Sequence, residues 1–197
     1  MNDPRPQLIT IAKNFYDRKW MYGTAGNLSA RTSNDSIWIT ASGQNKGELT
    51  QEHFLKVDLS GKILYSPPKL RPSAETSIHT AVYKKYPDMY ACLHVHMLES
   101  NWVCEDYSDN KIPLAKLEML KGFGWKPSMG TPCIHVIENF EYVPKIAEEM
   151  DTILSPNDII PGFLIRGHGI TAWGKNIQEA RNRLELFSYI FSFMCRR

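Results

Sequence analysis

The chain has 197 residues, of which 43% are hydrophobic, so it can bury a core, and we expect a single domain spanning residues 1–197. The net charge of +2 comes from scattered lysines and arginines, a pattern that favours neither a nucleic-acid partner nor a membrane surface. The first residues lack the apolar segment of a signal peptide, and no apolar run approaches the roughly 20 residues of a membrane span. Together with four cysteines in no metal-binding or redox spacing, this predicts a cytoplasmic protein.

The first half of the chain predicts a helix followed by short strands and a second helix. Apolar side chains recur at helical spacing over residues 7–20, and strands are predicted at 36–40 and 54–58, with a hairpin turn at 59–62. Pro72 and Ser73 predict the start of the next helix, with Ser73 as its N-cap. That helix should end near Tyr86.

The second half predicts alternating strands and helices. A strand at 91–96 is followed by a helix from Met97, a polar loop at 106–111, a strand at 133–137 and a helix at 143–154. Two strands at 163–166 and 170–173 are joined directly through three residues, and Asn176 caps a long last helix. Because the short connections contain no helix, we expect the strands to pair mainly antiparallel.

Three histidines form the strongest candidate for a metal site. His94 and His96 lie two apart on a predicted strand, so their side chains leave the same face with roots roughly 6.5 to 7 Å apart. His168 lies between two glycines, which let a ligand or a neighbouring chain come close. Three imidazoles and an open fourth position would describe a catalytic zinc site. The alternative is that the pair is merely packed and hydrogen-bonded, because spacing alone does not bring His168 to it.

Glu118 is a candidate for proton transfer. It lies in an otherwise apolar stretch, where a carboxylate needs a partner or a raised pKa. The simpler alternative is an ion pair with Lys116 or Lys121. A further carboxylate, Glu75, lies four residues before His79, and the two are interpreted as an ordinary pair on one helix face.

Several polar turns could together bind a phosphate through hydrogen-bond donors. The turn at 26–29 contains Asn27, a small-residue turn contains Ser42 and Gly43, and Ser73 lies at the predicted helix start. The sequence has neither a Walker lysine motif nor a GxGxxG motif, so a nucleotide is not indicated.

Five of these features occur in an order that resembles the class II aldolase and adducin family from about residue 8 to residue 193. They are 23–29, 40–43, 71–75, the pair His94 and His96, and 166–174. The resemblance implies a three-layer α/β/α domain with a central, mainly antiparallel sheet. It also implies a sugar-phosphate substrate and a homo-oligomer, usually a tetramer with active sites at the subunit interfaces.

Within that family, residues 117–122 look most like a dehydratase branch that acts on 5-methylthioribulose 1-phosphate in methionine salvage. By this resemblance His94, His96 and His168 hold one zinc ion per subunit, and Glu118 is the general acid/base. The residues that the resemblance assigns to the phosphate are Asn27, Ser42, Gly43, Ser73 and, adding charge, Lys46.

Two other functions remain open. The sugar-phosphate aldolases of the family carry a second serine where this chain has Ala74, but Glu75 matches the carboxylate that acts at their metal. A zinc aldolase or epimerase is therefore one alternative, and a non-catalytic adducin-like module is the other. Iron, cobalt or manganese could also occupy a three-histidine site. The apolar candidates for the methylthio pocket are Met97, Trp102, Phe123 and Trp125.

Overall fold

The computed structural model describes residues 3–196. The predicted domain spans residues 1–197, but Met1, Asn2 and Arg197 lie outside the described residues. Met1 and Asn2 also belong to the N-terminal segment in which no signal peptide is predicted. The helices are α1 (Arg5–Asp17), α2 (Thr76–Lys85), α3 (Leu98–Asp106), α4 (Val143–Ile153) and α5 (Ile177–Met194). The strands are β1 (Asn27–Ser33), β2 (Ser36–Thr40), β3 (Phe54–Asp58), β4 (Ile63–Tyr65), β5 (Ala91–Val95), β6 (Lys111–Pro113), β7 (Cys133–Ile137), β8 (Gly162–Ile165) and β9 (Gly169–Gly174).

The strands form one nine-stranded sheet in the order β4-β3-β2-β1-β5-β9-β8-β7-β6. Every neighbouring pair is antiparallel except β7 and β8. The mainly antiparallel sheet predicted from the short connections is therefore confirmed. Strand β5 lies at the centre of the sheet between β1 and β9, which places His94 among residues of both neighbours, and His96 follows just after the strand.

Helices cover both faces of the sheet and bury two separate cores. The helices α1, α3 and α5 pack on one face together with Leu93 and Val95, and α2 and α4 pack on the other with Cys92. The division follows from strand geometry, since successive side chains of a strand point to opposite faces. The predicted three-layer α/β/α arrangement is confirmed. Within residues 3–196, no helix combines the length and apolar character needed to cross a membrane.

Strand β1 is not predicted from the sequence, which indicates a polar turn at 26–29. Five consecutive residues from Asn27 to Arg31 are buried although three of them are polar. Burial is tolerated because these side chains are hydrogen-bonded; the Arg31 guanidinium donates to the carbonyls of Met89 and Tyr83 at 2.8 and 2.7 Å.

The predicted N-cap of α2 is wrong by two residues. The helix begins at Thr76 with Glu75 at the N-cap position, and the Ser73 hydroxyl instead accepts a hydrogen bond from the Glu75 backbone at 3.3 Å. The cause is tertiary, because Pro72 forms a β-bridge with Ala41 that keeps the chain extended up to this point.

Candidate metal and substrate site

The register of the central strands brings polar side chains around His94. Asn27 on β1 and Thr171 on β9 both pair with His94, and Ser29 pairs with Cys92. Directly opposed residues of antiparallel strands project from the same face. These side chains therefore share the face that α2 covers, where His94 is fully buried.

The structure brings His168 to the histidine pair. The ring centroids are 4.9 Å apart for His94 and His96, 4.9 Å for His94 and His168, and 4.5 Å for His96 and His168. This approach depends on the glycine after His168, because a Cβ on Gly169 would lie 2.3 Å from the carbonyl oxygen of Val95. The short β8–β9 turn thus docks against the end of β5.

Glu75 completes the cluster from the start of α2. Its Oε2 lies 3.3 Å from Nε2 of His94, and its Oε1 lies 3.2 Å from Nε2 of His168. One potential ligand atom from each of Glu75, His94, His96 and His168 lies within 4.8 Å of the others. Such convergence of three imidazoles and a carboxylate is what a divalent transition metal requires.

Unpartnered nitrogen atoms in the cluster support a metal ion. Nε2 of His94 and Nε2 of His96 are buried without a hydrogen-bond partner among the described residues, and Nε2 of His168 lies against the Glu75 carboxylate. Burial lowers the pKa of His94 to about 4 and that of His96 to about 3, so both rings are neutral at pH 7 and offer lone pairs. The residues present therefore fit a bound metal ion.

Glu75 stays ionised in this setting. Burial alone raises its pKa, but the His94 and His168 rings and the Asn27 amide outweigh that effect and hold the pKa below its ordinary value. The Asn27 amide donates to Oε2 at 2.9 Å. A carboxylate that is charged and fixed can bind a metal or accept a proton.

Lys46 is buried beneath the same region, with 2% of its surface exposed. Its ammonium donates to the carbonyls of Thr24 and Gln44, both at 2.8 Å, which leaves a third N–H. Burial lowers its pKa to about 8, although nearby Glu75 favours the charged form. Lys46 thus links the loop that contains Thr24 to its own loop and retains a third N–H for which no acceptor is found among the described residues.

The remaining candidates for phosphate binding lie on adjoining loops. The Ser42 backbone N–H donates to the carbonyl of Arg71 at 3.0 Å, so the turn with Ser42 and Gly43 lies beside Ser73. Asn27 differs from them, because its amide is already committed to Glu75. The structure therefore brings together the loops that contain most of the predicted phosphate-binding residues.

Glu118 lies on the surface, away from the histidine cluster. It begins a short 3-10 helix, Glu118–Phe123, in which Leu120 and Phe123 face the core. Its side chain is 79% exposed and pairs with Lys121 at 2.5 Å. The apolar surroundings expected for this carboxylate are not found, because the apolar neighbours turn inward and leave Glu118 outside.

Of the four apolar candidates for a substrate pocket, one is accessible. Met97, Phe123 and Trp125 are buried in the core, whereas 45% of Trp102 is exposed on α3, shortly after His96 in the chain. A cavity of about 630 Å³ lies between α2 and α4, but the histidines do not line it.

His79 and Thr171 are residues of the site that sequence reasoning missed. The Thr171 hydroxyl lies 3.0 Å from Nδ1 of His94. The expected direct side-chain pair of His79 with Glu75 is wrong, because Asn27 lies between them and bonds to both. The four-residue spacing indicated proximity, but an intervening residue from another strand is not visible in a local pattern.

Known proteins support a family assignment over nearly the whole chain. A model described as the class II aldolase and adducin N-terminal domain matches residues 6–195. The chain is 45% identical to a protein of Microcystis aeruginosa named methylthioribulose-1-phosphate dehydratase, covering 98% of this chain and 96% of that one. A protein of the same name from Leptospira biflexa is 41% identical, over 97% and 96% of the two chains.

Solved structures share the fold at lower sequence identity. A structure titled L-fuculose 1-phosphate aldolase superposes with a TM-score of 0.81 at 22% identity, covering 99% of this chain and 86% of that one. YgbL from Escherichia coli, titled a putative aldolase/epimerase/decarboxylase, gives 0.80 at 24% identity, covering 96% and 87%. At this identity the likeness concerns the fold alone.

Proposed function

This chain belongs to the class II aldolase and adducin family, and we propose that it is a methylthioribulose-1-phosphate dehydratase. Relatives of that name match it over nearly their full length at 41 to 45% identity. The observation that carries the chemistry is the cluster of Glu75, His94, His96 and His168 around unpartnered nitrogens.

His94, His96 and His168 are proposed to hold one zinc ion per subunit. A zinc ion with neutral imidazole ligands supplies Lewis acidity toward a substrate carbonyl and thereby acidifies the adjacent C–H bond. Thr171 orients the His94 ring through its Nδ1 atom. Glu75 is the accessory carboxylate of this site, held by Asn27 within reach of two of the three rings.

The phosphate of the substrate is proposed to bind beside the cluster. Ser42, Gly43 and Ser73 lie on neighbouring loops and can supply hydroxyl and backbone donors, while Lys46 supplies charge. Asn27 remains a candidate for binding the phosphate, although its side chain is hydrogen-bonded to Glu75. Binding the phosphate here would place the carbonyl end of a five-carbon chain near the histidines.

Glu118 is proposed to move the protons, and to do so in the active site of a neighbouring subunit. The reaction removes the C3 proton and the C4 hydroxyl, which together leave as water. The Glu118 side chain is 79% exposed and bonds to Lys121 on the surface, where a neighbouring subunit can reach it. Exposed apolar side chains, Leu98 and Trp102 on α3 and Tyr189 on α5, support an oligomer.

The proposal extends to the domain organisation, the oligomeric state and the location of the enzyme. We propose that residues 1–197 form one domain and that the enzyme is a homotetramer. It acts in the cytoplasm on a small sugar phosphate during methionine salvage, without nucleic-acid or membrane partners.

A sugar-phosphate aldolase or epimerase is the second candidate. Glu75, the carboxylate that matches the aldolases of the family, lies inside the histidine cluster, and this observation favours that chemistry. A non-catalytic adducin-like role is disfavoured by the unpartnered Nε2 atoms of His94 and His96, which converge with His168 and Glu75.

A substrate panel separates these functions. The zinc-loaded protein would be given 5-methylthioribulose 1-phosphate, fuculose 1-phosphate and ribulose phosphate, with His96→Gln as the control that loses a metal ligand. We expect a diketone from the first substrate alone, and no turnover by the variant. Aldehyde products without a diketone would identify an aldolase. A protein that neither retains the added zinc nor turns over any of the substrates would favour a binding module.

A further inference from the structure

A chain of buried hydrogen bonds leads from Glu75 into the core. Nε2 of His79 lies 2.5 Å from the side-chain oxygen of Asn27, whose amide nitrogen donates to Glu75 at 2.9 Å. On the other side, Nδ1 of His79 lies 2.6 Å from the Ser29 hydroxyl, which is 2.8 Å from the Tyr83 hydroxyl. His79, Ser29 and Tyr83 are fully buried.

Donor and acceptor chemistry fixes the direction of every bond in this chain. The NH₂ group of Asn27 faces the Glu75 carboxylate and donates to it, and the amide oxygen faces His79. That oxygen only accepts, so Nε2 of His79 carries a proton. Reversing the amide would place its oxygen against the Glu75 carboxylate, with acceptor facing acceptor.

The inner half of the chain follows from the same rule. A neutral imidazole protonated at Nε2 accepts at Nδ1, so the Ser29 hydroxyl donates there at 2.6 Å rather than to the Cys92 carbonyl at 3.4 Å, and the Tyr83 hydroxyl donates to Ser29. Burial keeps these groups neutral: it lowers the pKa of His79 to about 4 and raises that of Tyr83. All four hydrogen bonds therefore point toward Glu75.

We propose that His79 is a positioning residue that holds the Asn27 amide in one orientation and so fixes the Glu75 carboxylate against the metal-binding histidines. The His79 side chain bonds to Asn27 and to no side chain of the cluster, and only its backbone N–H contacts Glu75, at the carbonyl oxygen, 3.4 Å away. The part of this inference that is tested by turnover rests on the proposed function. The tautomer of His79 can be measured without substrate.

The substitutions His79→Gln and His79→Asn both introduce an amide, and they distinguish the role of Nε2 from that of Nδ1. Glutamine places an amide N–H near the position of Nε2 and can still donate to Asn27, whereas asparagine places its amide near Nδ1 and can only reach Ser29. Both introduce a neutral amide into the same buried position. His135, which is partly buried, pairs with Asp158 and lies outside the site, so His135→Gln and His135→Asn are the matched controls.

The activity test compares kcat, KM, zinc content and melting temperature of these variants. We expect His79→Asn to lower kcat at least tenfold relative to His79→Gln, with similar KM, zinc content and melting temperature. A purely structural role would make kcat follow the folded fraction in both variants. Equal kcat values for the two folded variants would overturn the proposal.

The spectroscopic test uses nitrogen-15 NMR of the zinc-loaded wild-type protein. We expect a slowly exchanging proton on Nε2 of His79 and an unprotonated Nδ1, with the Asn27 side-chain amide shifted in His79→Asn but not in His79→Gln. A proton on Nδ1 would overturn the proposal even if both variants failed to fold. A wild-type protein that shows the expected tautomer but does not dehydrate the substrate would instead overturn the proposed function.

Discussion

The Thr171 hydroxyl lies 3.0 Å from Nδ1 of His94, directly across the pair of strands that carries both residues. The contact leaves Nε2 of His94 facing Glu75 and the other two histidines. A hydrogen bond to the second ring nitrogen sets the orientation and basicity of a ligating imidazole. The pairing of β5 with β9 thus prepares a side chain that the metal would use.

Thr171→Val should weaken zinc binding while leaving the fold intact. The valine has nearly the same shape but cannot bond to Nδ1, so the His94 ring loses its anchor, and zinc affinity should fall about 10- to 100-fold. Competition with a chromogenic chelator measures this affinity. Thr152→Val, which removes an exposed hydroxyl on α4 that bonds to Glu148, is the control. An unchanged zinc affinity would contradict the role given to Thr171.

Glu118→Gln should abolish dehydration without loss of zinc. General acid/base groups contribute about 10²- to 10⁴-fold to rate, so kcat should fall in that range. Because an exposed ion pair contributes only about 0 to 1 kcal/mol, the melting temperature should hardly change. Lys121→Met, which breaks the ion pair but keeps the carboxylate, should retain activity.

The location of Glu118 also allows a mixing experiment. Subunits with Glu118→Gln and subunits with His96→Gln are each expected to be inactive. If Glu118 serves a neighbouring subunit, mixed oligomers contain some sites with both residues intact and should regain part of the activity. Full activity of Glu118→Gln, or no recovery on mixing, would refute this arrangement.

Lys46→Met should raise KM more than it lowers kcat. A hydrogen bond to a charged group contributes about 1.5 to 3 kcal/mol, so KM for the sugar phosphate should rise about 10- to 100-fold. Some stability should also be lost, because the carbonyls of Thr24 and Gln44 lose their donor. Lys13→Met on the exposed side of α1 is the matched control, and the two KM values decide the matter.

Gly169→Ala should damage the metal site through the backbone. The new Cβ would meet the Val95 carbonyl at 2.3 Å, and neither group can move without shifting a strand. We expect a loss of about 1 to 3 kcal/mol in unfolding free energy and weaker zinc binding. Gly61→Ala, at a remote turn with φ of +89° and open space, should lose stability through backbone strain but bind zinc normally.

Acid should destabilise the metal-free protein partly through His79. The unfolded imidazole binds a proton near pH 6.5, whereas the folded one does so only near pH 4. Because the unfolded state binds more protons between these values, stability is retained above pH 6.5 and falls as the pH drops toward 4, by up to about 3 kcal/mol. His79→Gln should show a shallower fall in urea denaturation with chelator present. Identical slopes would contradict a neutral, buried His79.

The sequence by itself determined the mainly antiparallel sheet, most helix and strand positions, and the candidate histidines. These follow from local periodicity, short connections and the order of motifs. The strand β1 is not predicted because Asn27 and Ser29 are typical of a turn, and their buried partners His79 and Tyr83 on α2 are not visible in a local pattern. Ser73 was assigned as N-cap because a bridge between Ala41 and Pro72 lies far beyond a local pattern.

Only the tertiary structure decided what each site residue touches. It brought His168 to His94 and His96 and placed Asn27 between Glu75 and His79. It also buried Lys46 and left Glu118 on the surface. Local sequence patterns record which face of an element a residue occupies. The partner across the sheet is set by strand order and register, and these emerge only when the whole chain packs.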